Sequence, residues 1–370
     1  MFRDHETHSA DPTGQTHSGR ALLGLALSAV LAIALIHPAT ASPQATTTSR
    51  GSGPDRSVMA WSRALEDFSA IRIVVGRPDG GPVRELTDSV NGVEDIDPKF
   101  SPDGSRILFE RDLPDGDVQI MVVNVDGTGE RVLPLGCVDP CVADVGPTWA
   151  PDGRHVYFTR VMSPFDDEDN AASAVLYRST LDGRRLTRIS PPGIDSVYED
   201  YGASFAPAGY MVFIRYRDAD GKTAAFRHDR GGRLTQLTPY ALDADTLSVS
   251  PAASGPSKDL IVFETFGHGA PDGTASAVAT VPSTCRSVVA CAPHVRYLTS
   301  PESLPLQHFN PTWSPDGREI AYVRFSYVEP GPATGDIWRM TWNGNDKRPV
   351  SASPRFEFRP AWGTAKGAGR

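Results

Sequence analysis

Asp97-Pro98-Lys99-Phe100-Ser101-Pro102-Asp103-Gly104, followed by Ser105-Arg106-Ile107-Leu108-Phe109-Glu110, decides how the rest of this chain is read. Ser-Pro-Asp-Gly is a type I turn in its preferred residues: Ser at the first position, Pro to preset φ at the second, Gly at the fourth. An aromatic residue precedes the turn and an apolar run follows it, so the unit reads as a tight hairpin. Near copies stand at Trp149-Ala150-Pro151-Asp152-Gly153 and Trp313-Ser314-Pro315-Asp316-Gly317. Three such turns in similar context make a repeat.

Two marks count the repeats. One is the end of the innermost strand, at Phe100, Trp149, Phe205, Val249, Trp313 and Trp362. The other is a Leu-Thr-like pair closing the outermost strand: Leu86-Thr87, Leu133-Pro134, Ile189-Ser190, Leu237-Thr238, Leu298-Thr299 and Val350-Ser351. Both give six repeats of roughly 45–60 residues, the length of a four-stranded propeller blade. Residues 57–87 hold only three strand candidates (Ser57–Ser62, Ile71–Gly76, Val83–Leu86), whereas Phe356–Trp362 is left over at the other end. The expected fold is therefore all-β, a six-bladed β-propeller over 57–363 in which the C-terminal strand completes the first blade, with 364–370 as a tail. Closure of that kind leaves no open sheet edge.

The chain has 370 residues, 39% hydrophobic and 22% charged, with a formal net charge of -9. The composition is that of a globular protein, and the acidic balance argues against a nucleic-acid partner. Residues 21–36 are uncharged and apolar, Arg20 precedes them, and Ala39-Thr40-Ala41 offers small residues for cleavage before Ser42. Residues 1–41 thus read as a signal peptide, with an uncleaved anchor as the alternative, and 42–56 as a flexible leader. A secreted or periplasmic location follows, with no membrane span after cleavage; the chain is expected to be a monomer. Cys137, Cys141, Cys285 and Cys291 are then expected to pair as neighbours, Cys137–Cys141 and Cys285–Cys291, rather than to bind metal.

Aromatic-Ser-Pro-Asp-Gly, an Ile-Ala-Tyr-like strand, then Asp-Gly and Leu-Thr resembles the repeat of TolB-type, WD40-like propellers. Ser101–Glu110 and Ser314–Arg324 fit most closely, Ala150–Arg160 fits well, and the fourth and fifth repeats are degenerate. The resemblance implies the fold and leaves the activity open, because this architecture hosts many functions. Only the leader 42–56 separates the expected signal peptide from the first repeat, so TolB's additional N-terminal domain is not expected.

Counting five residues back from each innermost-strand mark gives Asp95, Asp144, Asp200, Ala244 (followed by Asp245), His308 and Glu357. Rotation would bring these to one channel mouth, with Glu94, Asp97, Glu199 and Asp243 adding charge. Such a ring focuses negative potential and suits a basic segment of a protein or peptide partner, or a small ligand. Ca²⁺ is a further possible occupant, and no other cofactor is expected. No nucleophile elbow, His-Glu-x-x-His, phosphate loop or dinucleotide fingerprint is present, so no catalytic residue is assigned. The rival is a propeller enzyme, a lyase or lactone hydrolase with a channel-bound metal; an enzyme predicts either that metal or an acid–base pair of His308 with Asp95 or Glu357. Asp103, Asp152 and Asp316 read as turn residues, and the aromatic marks as packing between blades.

Overall fold

The computed structural model describes residues 57–162, 173–190, 198–266, 276–300, 306–326 and 333–364. The expected signal peptide and the leader 42–56 lie outside them, as does Ser163–Asn170, whose acid run Asp166-Asp167-Glu168-Asp169 reads in the sequence as an insert in the third repeat. Among the described residues the chain folds into 24 strands, with helical structure confined to short turns.

The first strands are β1 (Ser57–Ala64), β2 (Ile71–Gly76) and β3 (Arg84–Glu85). Then come β4 (Glu94–Phe100), β5 (Arg106–Asp112), β6 (Val118–Asn124) and β7 (Arg131–Val132). A further sheet holds β8 (Cys141–Trp149), β9 (His155–Met162), β10 (Ser173–Thr180) and β11 (Thr187–Arg188). The next holds β12 (Tyr198–Phe205), β13 (Met211–Arg217), β14 (Lys222–His228) and β15 (Leu234–Gln236). It is followed by β16 (Ala244–Val249), β17 (Leu260–Phe266), β18 (Ser276–Pro282) and β19 (Arg296–Tyr297). The last strands are β20 (Leu306–Trp313), β21 (Glu319–Ser326), β22 (Thr334–Thr341), β23 (Arg348–Pro349) and β24 (Glu357–Thr364).

The strands from β8 to β23 form four four-stranded antiparallel sheets. The others form one eight-stranded sheet in the order β24-β1-β2-β4-β5-β6-β7, with β3 on β2. Its four-stranded halves, β24-β1-β2-β3 and β4-β5-β6-β7, share a single ladder pair, the parallel pair Ile71 with Glu94, and pack through Ile73, Val75, Ile107 and Phe109. β24 lies antiparallel to β1, with Met59 opposite Trp362.

The repeat marks have physical causes. In the Ser-Pro-Asp-Gly turn, Asp103 Oδ1 accepts from Ser101 Oγ (2.7 Å) and from the amide of Ser105 (3.1 Å). Asp316 does the same with Ser314 Oγ and the Arg318 amide. Gly104 has φ +70, a conformation that disfavours a side chain. At the Leu-Thr-like pair the hydroxyl satisfies a backbone donor of the group's third strand. Thr87 Oγ1 accepts from Ile73 N, Thr238 Oγ1 from Ala225 N, Thr299 Oγ1 from Val278 N, and Ser190 and Ser351 act likewise. Each outermost strand therefore needs only two or three residues.

The apolar runs are buried on both faces, with clusters that join neighbouring sheets. Ile107, Leu108 and Phe109 of β5 are fully buried, and Leu108 packs with Trp149, Val156 and Phe158 of the following sheet. The aromatic marks also bridge neighbours: Trp149 Nε1 donates to Lys99 O, and Trp313 Nε1 to Ser248 O.

The cysteines divide. Cys137 and Cys141 form the expected disulfide. Cys285 and Cys291 do not: both are free thiols, a correction to the second expected pairing. Each thiol lies against the carbonyl of Pro282, at 3.3 Å and 3.7 Å, and Cys291 is fully buried at the end of the short helix α1 (Val288–Cys291).

Candidate functional site

The leading strand of each four-stranded group contains a bulge at the same place. The register slips between Ile96 and Lys99, Val145 and Thr148, Tyr201 and Ser204, Asp245 and Leu247, and Phe309 and Thr312. A matching slip in the β1–β24 pairing falls between Ala60 and Ser62. At these bulges Asp97, Gly146, Gly202, Thr246, Asn310 and Arg359 take positive φ. A bulge leaves a backbone amide outside the ladder and re-aims nearby side chains.

Just before the bulges stand the residues that the sequence placed at a channel mouth. The structure gives four of them another neighbour. Asp95 receives the Arg111 guanidinium at 2.6 and 2.9 Å and also the Ser89 hydroxyl. Asp144 is bound by Arg160 at 2.7 and 2.8 Å, and Asp200 by Arg215 at 2.7 and 2.9 Å. Glu357 accepts from Arg63 at 2.6 Å. All four acids are at most 3% exposed, so they face the interior of their own group, contrary to the expected ring of open carboxylates. The arginines are wedged among rings as well; Arg215 lies 5.4 Å from the centre of Phe213 and 5.0 Å from that of Phe226. The three aspartates make bidentate pairs, Glu357 binds through Oε1 alone, and in each pair the partner makes the burial of the other tolerable.

The pattern lapses in two groups. Ala244 stands opposite Thr265, whose hydroxyl turns to the Leu242 carbonyl. His308 stands opposite Arg324, and its ring lies 5.7 Å from that of Tyr322. Burial and then the charges of Arg324 and Lys347 push the His308 imidazole down to about 4, so it is neutral at pH 7. Asp95 and Glu357 bind arginines and are not brought to His308 as acid–base partners.

A second set of acids gathers around the bulges. Glu110 Oε2 accepts from the Gly146 amide at 2.7 Å, and Glu264 Oε2 from the Asn310 amide at 3.0 Å. Each thus reaches from a second strand to the freed amide of the next group's bulge. Burial, the Asp245 charge and weaker offsets hold Glu264 at about 8. Glu110 and Asp112 share a carboxyl–carboxylate contact, and burial raises both. Burial and then Asp218 lift Glu199 to about 7; Asp245, bonded by the Thr246 amide at 2.7 Å, is raised by burial first. Arg359, at the β24 bulge, is the cation felt by Glu94, Glu110, Asp112, Asp245 and Glu264. Among the acids expected to add charge, Asp97 meets Lys99, and Asp243 meets Lys222 at 2.7 Å and the Thr223 amide at 3.0 Å.

Counting from the strand marks missed Glu110, Asp112, Glu264 and Arg359. A signal was present: Leu108-Phe109-Glu110 and Val262-Phe263-Glu264 each end an apolar run on an acid. Among the described residues, the one group with three metal-type ligand atoms within 4.8 Å is Cys137, Cys141 and Asp144, whose sulfurs are already bonded to each other. Among the described residues the acids around the bulges make no such group.

No family model matches the chain. A solved TolB from Acinetobacter baumannii superimposes with a TM-score of 0.60 at 19% identity, over 85% of this chain and 68% of that one. The chain has a TolB-like propeller fold. A TolB candidate from Agrobacterium tumefaciens agrees, at TM-score 0.54 and 15% identity, over 84% of this chain and 99% of that one. An uncharacterised protein of Agrobacterium fabrum is 25% identical over 280 residues, 75% of this chain and 70% of its own. At such identities the structural likeness carries the fold and leaves the activity open.

Proposed function

We propose that this chain is an exported, non-catalytic, six-bladed propeller that binds a protein or peptide through the acidic centre of its ring. Support for six blades comes from dividing the eight-stranded sheet at its single parallel pair. Support for closure comes from β24 on β1 and from the leading strands, which touch in cyclic order: β4, β8, β12, β16, β20, β24 and β4 again. The apolar run and small residues of 21–41 support export. Among the described residues no helix is long and apolar enough to cross a membrane.

The observation that carries the binding reading is the surplus of carboxylates over cations around the bulges. Glu94, Glu110, Asp112, Asp245 and Glu264 share Arg359 as the cation recurring in their surroundings, and Glu199 adds a further acid beside Asp218. A lysine or arginine of a partner would relieve that imbalance and draw the acids towards their ionised forms. The four arginine-bound acids hold the blades, and the bulge acids meet the partner.

The test is a pull-down from the exported fraction with the full chain and its Glu94→Gln/Asp97→Asn/Glu199→Gln variant. Wild type should retain a protein that salt elutes, and the variant should lose it. Retention of the same proteins by a folded variant would refute the acidic centre as the binding site.

A further inference from the structure

Away from the acidic centre, a cleft of about 690 Å³ opens between the fifth and sixth four-stranded groups. We propose that it binds the pyranose ring of a saccharide.

The cleft exists because two repeats depart from their pattern at adjoining places. The β16–β17 connection, residues 250–259, replaces the short Ser-Pro-Asp-Gly turn with a longer loop. That loop forms one wall, through Ala252 to Ser257. It is seated against the next group: a Cβ on Gly317 would lie 2.8 Å from Ala252 Cβ and 2.9 Å from Ser250 Oγ. The other wall is the turn after β22. There Trp342 stands where Val125 and Leu181 stand in the corresponding turns, and Asn343 where Asp126 and Asp182 stand. Trp342 is fixed by its amide, which donates to Arg318 O at 2.8 Å, just as Val125 donates to Ser105 O.

The lining selects the ligand class. An indole offers an apolar face to the C–H side of a sugar ring and keeps a polar N–H at its edge. Around it stand groups that exchange hydrogen bonds with hydroxyls: Ser254, Asn345 and Asp346. Asp316 and Arg318 lie 3.6 Å apart and offset each other, leaving Asp346 as the surplus charge. A nearly neutral lining does not favour phosphate or polycations, and the absence of long aliphatic side chains from the lining does not favour a lipid chain. The volume is in the usual range for a small-molecule site.

The test is saturation-transfer NMR on the full chain with glucose, galactose, mannose and N-acetylglucosamine, each alone. Transfer to the ring protons of at least one is expected, weakened roughly tenfold or more in Trp342→Ala. Ala253→Trp, an exposed substitution on the opposite wall, should block the cleft and leave Trp342 in place. Transfer to none of the four sugars overturns the proposal, and so does transfer that survives both variants unchanged.

Discussion

Asp200 and Arg215 show what the buried acids do. Neither side chain is more than 7% exposed, and two hydrogen bonds link them. Asp200→Ala leaves a guanidinium buried without its anion and should cost roughly 3–5 kcal/mol, read as a lower urea midpoint. A loss below about 1 kcal/mol would mean that Arg215 reaches water or another acid. Glu264 makes a different prediction. The folded chain holds its proton up to about pH 8, whereas the ordinary carboxyl value is 4.5. Between those values the folded state binds more protons, so stability falls as pH rises, by at most about 1.4 kcal/mol per pH unit from this group. Glu264→Gln should flatten that limb between pH 5 and 8 in urea titrations at successive pH values. An unchanged slope would show that Glu264 is ionised throughout.

At the scale of the element, the hairpin turn and the short outer strand were fully legible, because both are written in residues that close local hydrogen bonds. Ser101, Asp103 and Gly104 make the turn, and Thr87, Thr238 and Thr299 cap the third strands. The bulges were not legible. Glycine marks them only at Gly146 and Gly202; elsewhere Asp97, Thr246, Asn310 and Arg359 bear the positive φ. Side-chain alternation does not carry across a bulge, so counting back through one located Asp95, Asp144 and Asp200 but gave the wrong facing. Cys285 and Cys291 misled for another reason: spacing says that two thiols can meet, not that they bond. The turn glycines give a paired test. A Cβ at Gly104 would fall 1.5 Å from Thr364 O, whereas one at Gly116 would meet nothing within 4 Å. Both have positive φ, so Gly116→Ala should cost about 1 kcal/mol and Gly104→Ala about 3 kcal/mol or more, measured by thermal unfolding. Equal losses would mean that β24 does not press on that turn.

The whole molecule depends on β24 in several ways. It is the partner of β1, it supplies Glu357 to Arg63, and it carries Arg359 among the central acids. A chain ending at Ser353 should therefore lose far more than one strand's contacts. We expect aggregation, or a midpoint roughly 10 °C or more below that of the full chain, in calorimetry and light scattering. A truncated chain that melts as the full one does would refute the closed ring.

The bond from Arg63 to Glu357 joins residues 294 positions apart. A chain released N-terminus first, from a ribosome or a pore, thus keeps its opening strand waiting until nearly its last residues have emerged. The last pairing partner of β1 is therefore also the last strand to be made, whereas its pairing with β2 needs only the first twenty residues of the fold.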